Sequence, residues 1–128
     1  MTIDHVTRAG LAQTLEGSTV GQPGRHPRAQ CTATGAPLRE GSHVSVLCAR
    51  SPGGKRYRVE GVFAAGPEAP ERLRPRETAD QVLAEARLAV LEHAHERQLC
   101  LVAVDVVAHS PAGEGSGLDA GGIGRVGR

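Results

Sequence analysis

The sequence predicts an α+β domain of two layers: an antiparallel hairpin, a long helix and a third, buried strand, followed by a flexible glycine-rich C-terminal tail. Three observations predict it. Two alternating runs flank a Pro-Gly-Gly turn at Ser51-Pro52-Gly53-Gly54. A capping-box pattern, Thr78-Ala79-Asp80-Gln81, precedes a long apolar stretch. A nearly continuous β-branched run, LCLVAVDVV, occupies residues 99–107.

Taken in order, Asp4 is placed to cap a short helix through Leu15 that ends at Gly17, with Val6, Leu11 and Leu15 as a loose apolar stripe. Residues 17–30 carry glycine, proline and charge and read as linker, so residues 1–30 form a weak helix and a connection. The single α+β domain spans residues 31–110. In its first strand, His43 to Arg50, Val44, Val46 and Cys48 share one face and His43, Ser45 and Leu47 the other. Lys55 to Ala64 alternates again, and the two runs make a hairpin.

Residues 66–76 hold three prolines and form a loop. The capping box then starts a helix running to Glu96 or Arg97, with Glu85, Glu92 and Glu96 on one solvated stripe and apolar residues over most of the remaining arc. The run from Leu99 to Val107 is too short to span a membrane and reads as a central strand buried on both faces. Residues 111–128, rich in glycine, form the disordered tail. A helix carried back over the sheet gives the two layers.

Composition narrows function. The chain has 128 residues and a formal net charge of +1, which excludes a strong field for nucleic acid or anionic membranes. Tyr57 and Phe63 are the only aromatics, so the core is aliphatic, each fully buried Val or Leu adding roughly 1.5–3 kcal/mol. Cys31, Cys48 and Cys100 are odd in number and irregularly spaced, which is no disulfide framework. The first residues lack signal-peptide character, and a reducing cytoplasm is the expected compartment.

The motif that stands out is Cys31-Thr32-Ala33-Thr34-Gly35-Ala36-Pro37-Leu38-Arg39-Glu40-Gly41. A cysteine at position 34 would make it a zinc knuckle leading into a strand. With Val62-Phe63-Ala64-Ala65-Gly66 and Val106-Val107-Ala108-His109-Ser110-Pro111, it resembles a family of small, uncharacterised haloarchaeal proteins similar to zinc-ribbon or treble-clef domains. The resemblance spans residues 31–115 and implies an archaeal binding module. Of its ligand positions only Cys31 remains. Thr34 replaces one cysteine and Phe63–Gly66 supplies none, so a metal-free remnant with no stoichiometric zinc and no cofactor is expected.

Other constellations yield no catalytic, cofactor or metal residue. Cys48 and Cys100 lie in apolar strands and read as core thiols, which leaves His43 without thiolate partners. His93 and His95 stand two apart on the expected helix and point away from one another. Gly122-Ile123-Gly124-Arg125-Val126-Gly127 matches the dinucleotide fingerprint as a string, without the strand and helix it requires. No nucleophile-elbow string is present. The expected function is therefore non-enzymatic: an interaction or regulatory module for a protein partner, self-associating as a homodimer and not bound to membrane. The alternative is a small nucleic-acid-binding domain using Arg56, Tyr57 and Arg58 with the tail residues Arg125 and Arg128.

Overall fold

A computed structural model describes residues 4–74, 76 and 78–112. One helix, α1 (His5–Leu15), precedes seven strands: β1 (Thr19–Gly24), β2 (Ala29–Gln30), β3 (Pro37–Leu38), β4 (His43–Arg50), β5 (Arg58–Ala64), β6 (Asp80–His93) and β7 (Glu96–Ser110). Five strands form one antiparallel sheet in the order β1-β7-β6-β4-β5, curled into a nearly closed barrel. β2 and β3 pair with each other. No helix among the described residues is long and apolar enough to cross a membrane.

This overturns the two-layer α+β expectation. The residues expected to form the long helix are strand β6, which pairs with β4 along 80–87 and with β7 along most of its length. The helix reading followed the Thr78 capping box and the wide apolar arc beyond it. The decisive pattern was of period two: Val82, Ala84, Ala86 and Leu88 are buried, while Glu85 and Arg87 between them are exposed. Ala84 and Ala86 are small because the inside of a curled sheet has little room there. His93 and His95 belong to the end of β6 and the turn that follows, and Glu92 and Glu96 lie on separate strands.

Other expectations fared differently. The β4–β5 hairpin forms, with a one-residue irregularity between Leu47 and Cys48. Helix α1 forms, Asp4 accepting the Thr7 amide at 2.9 Å. Residues 19–24 are not linker; they form the edge strand β1, paired with β7. The run from Leu99 to Val107 lies within the longer β7, between β1 and β6, but it is not buried on both faces throughout. The tail expectation, the glycine string 122–127, Arg125 and Arg128 lie outside the described residues.

A bulge explains β7. Ala103 and Val104 together face Ala86, and Ala103 has φ 52°. Before the bulge Leu99 and Leu101 are buried; after it Val106 is buried and Val104 packs on the core. The inward phase thus shifts by one residue and Asp105 is left outside. The amides of Ala103 and Val104 turn away from the ladder and donate to the Glu16 carboxylate at 3.1 and 3.2 Å. The same corner is bound through Gly17 N to Leu101 O (2.7 Å) and Leu101 N to Ser18 O (2.9 Å).

The segment around 28–32 spans the gap between the two edge strands. Gln22 and Arg28 exchange backbone hydrogen bonds of 2.7 and 3.1 Å on the β1 side. On the β5 side, the Thr32 amide donates to Val62 O at 2.7 Å and the Val62 amide to Thr32 Oγ1 at 2.9 Å. The β1 approach is so close that a Cβ on Gly21, whose φ is +71°, would stand 1.9 Å from the Arg28 carbonyl oxygen.

Gly21→Ala is expected to cost about 3 kcal/mol or more, combining the positive φ with a backbone clash. A urea titration reads this, and a loss below about 1 kcal/mol, the average for any substitution, would contradict the closure. At the β6–β7 turn, Ala94 holds φ 54° without being glycine. Ala94→Gly is expected to raise stability by about 0.5–1 kcal/mol, seen as a higher urea midpoint.

Candidate functional site

The turn that begins at Cys31 forms. The Gly35 amide donates to Cys31 O and the Cys31 amide to Ala36 O, each at 2.8 Å, and Gly35 takes φ +76°. Thr34 accepts the Ala36 amide at 3.2 Å through Oγ1. Ala64, from the stretch where the resemblance implies a second ligand pair, donates its amide to Cys31 Sγ at 3.4 Å. The two segments therefore meet, with protein donors around the sulfur. Among the described residues, no group of three or more His, Cys, Asp or Glu is placed to hold a metal ion.

Those donors set the thiol chemistry. The Thr34 hydroxyl, then the Ala64 amide, favour the thiolate and lower Cys31 to about 7, although the residue is only 2 % exposed. Cys48 and Cys100 are buried as expected of core thiols. Burial pushes Cys48 up to about 12, and it also raises Cys100.

The Arg-Tyr-Arg stretch is not a free stacking platform. Arg50 lies 4.5 Å from the centroid of the Tyr57 ring, and Tyr57 packs against the core. Arg50 also reaches Asp80 at 2.9 Å. Asp80 in turn accepts the Ala112 amide at 2.7 Å, so its carboxyl is held below its ordinary value by that bond first and by Arg50 second.

A concavity lies on the outer face of β4, β6 and β7. A cavity of about 350 Å³ is lined by His43, Ser45, Glu85, Arg87 and Asp105, among others. A second, of about 310 Å³, shares Ser45, Ala65 and Glu85 with it and runs under residues 66–71 to Leu83 and Val107. Strand register orders the charges. Ser45 stands opposite Glu85, and Glu85 opposite Asp105. One step along, His43 stands opposite Arg87, whose guanidinium donates to His43 Nε2 at 3.2 Å. Arg8 of α1 reaches Asp105 at 3.2 Å from the side.

Residues 5–112 match the family described as Domain of unknown function (DUF8112). The chain belongs to this family. The DUF8112 match takes in α1 and all seven strands, and with them the whole groove. No curated protein and no solved structure matches the chain.

Sequence reasoning missed the groove because it placed Glu85 on a helical stripe and left Arg87 and Asp105 unremarked. The signal was present in Ala84-Glu85-Ala86-Arg87-Leu88, a strict alternation of small or apolar residues with charge.

Cys31 also makes a pH prediction. Its native thiol ionises below the ordinary value of 9.0, at about 7, so it stabilises the fold fully above pH 9 and loses that contribution as pH falls through 7. Cys48 acts only at higher pH, because its own shift runs from 9.0 to about 12. Urea midpoints of the parent protein should rise between these limits, and those of Cys31→Ser should not; parallel profiles would refute the assignment.

Proposed function

We propose that this domain is a non-enzymatic protein-interaction module, with its zinc site lost, that takes an extended segment of a partner protein along the β4–β6–β7 groove. The observation that carries this reading is the pairing of Glu85 directly opposite Asp105 in an open groove. Like charges directly across a ladder oppose sheet formation, and only Asp105 has an arginine partner. A lysine or arginine of a bound segment would neutralise the pair. One step along, the His43–Arg87 pair suits a carboxylate of the same segment. Val107, 44 % exposed, offers an apolar contact on the groove's far side.

The Arg87 guanidinium occupies His43 Nε2 and so takes up that nitrogen as a base for Ser45, which supports binding over catalysis. The occupied face of Tyr57 weighs against nucleic acid. A photo-crosslinking residue at position 45 tests the proposal in cells. It should capture a discrete protein, and Glu85→Arg should abolish capture without shifting the melting temperature. Capture of nuclease-sensitive material, with binding that weakens steeply with salt, would replace this reading by the nucleic-acid one.

A further inference from the structure

Sixteen residues follow Ala112, where both the described fold and the family match stop. The point from which they leave is fixed. The Ala112 amide donates to Asp80 Oδ1 at 2.7 Å, and Asp80 is itself held by Arg50 at 2.9 Å. That point lies beyond one end of the groove. β7 leads to it from Asp105 through Val107 to Ser110. Val106 faces the core, so its neighbours Asp105 and Val107 stand together on the outer face. A segment turning back after Ala112 along this face meets the apolar Val107 first. The Glu85–Asp105 pair comes second, two residues further along the strand. Arg8 serves Asp105, and among the described residues Glu85 has no cationic partner.

The sequence after Ala112 carries a matching pattern. Ile123-Gly124-Arg125 and Val126-Gly127-Arg128 are one apolar-Gly-Arg unit written twice. In an extended segment, residues two apart share a face and stand about 7 Å apart, the same step as Val107 to Asp105. Each unit thus offers an apolar and a cationic side chain in the order and at the spacing of the groove. With Arg125 at the carboxylates, Gly127 falls level with Arg87, so no second cation meets that guanidinium. Length fits as well. Ala112 stands seven positions beyond Asp105, a span of about 23 Å at strand rise. Arg125 and Arg128 follow Ala112 by 13 and 16 positions, and a glycine-rich segment of that length has an r.m.s. reach of about 18–24 Å. A tether whose reach matches its span gives the highest effective concentration, on the order of millimolar. We propose that residues 113–128 dock in the groove of their own chain, Arg125 against Glu85 and Asp105 and Ile123 against Val107, as an internal competitor of the partner segment. The inference rests on the reading of the groove as a segment-binding site, and it assigns that site its regulation: a partner enters by displacing the tail.

The purified full chain with a photo-crosslinking residue at position 45, irradiated at micromolar concentration, should link to residues 120–128 within one chain, at a yield independent of protein concentration. Reversing both charges, Arg125→Glu with Arg128→Glu, should cut the yield about tenfold or more, because like charges then meet at the carboxylates. Arg125→Lys with Arg128→Lys should preserve it. A free peptide of residues 113–128 should halve the parent yield only at about millimolar concentration, the advantage of the tether. No link to the tail, an equal yield after charge reversal, links found only between two chains, or half-competition at micromolar peptide each overturns the inference. Capture in cells separates it from the partner reading. The charge-reversed chain should capture partner severalfold better than the parent. A partner captured equally by both chains, with no tail link, rejects the tail inference alone. A tail link with no partner captured even by the reversed chain leaves the tail as the groove's occupant and rejects the partner reading alone.

Discussion

The contact between the Glu16 carboxylate and the two bulge amides of Ala103 and Val104 governs the rest of this molecule. A regular β7 would point residues 101, 103 and 105 to the same side, which would send Asp105 into the core. The extra residue at the bulge moves Val104 and Val106 inward and Asp105 outward, so the groove owes its acidic wall to that one irregularity. The irregularity in turn depends on a partner for its two freed amides, since unpaired backbone groups are costly once water is displaced. Glu16 supplies it from the residue that ends α1, and α1 is thereby bound to β7 where the sheet must bend.

Closure rests on a second backbone arrangement. Residues 28–32 lie across the space between β1 and β5 and form hydrogen bonds on both sides. Exposed sheet edges invite pairing with other chains, and this strap limits the exposure on both outer strands. The knuckle turn is part of the same strap. Cys31 sits where a metal-binding turn would begin, yet its sulfur is served by the Thr34 hydroxyl and the Ala64 amide. Protein donors hold the turn against β5.

Sequence patterning made some of this legible and hid the rest for identifiable reasons. The Pro-Gly-Gly turn and the alternation of His43 to Arg50 led directly to the β4–β5 hairpin, because both signals are local. The Asp4 cap led equally directly to α1. Residues 78–97 misled because the capping-box pattern at Thr78 is purely local, and a strand with apolar residues on both faces, Leu83 and Leu91 on one and Val82 and Leu88 on the other, spreads them over most of a helical wheel. The unbroken apolar run of β7 concealed a phase change: each half alternates, but the bulge at Ala103 joins the halves out of step. β1 could not be read from a segment so rich in glycine and proline, because its pairing depends on how near Gly21 lets the Arg28 carbonyl approach. The groove was hidden as a consequence, since its charged residues share a face only after β4, β6 and β7 are aligned.

The alternation of β6 has a further meaning. Val82, Ala84, Ala86 and Leu88 set the girth of the barrel from inside, and a larger side chain at either alanine would have to widen it. Glu85 and Arg87, interleaved with them, touch solvent and carry none of that constraint. Scaffold and contact surface are thus encoded by neighbouring residues of one strand without sharing a position. The outer charges can therefore be exchanged without refitting the interior, so that surface and girth are separately adjustable along a single strand.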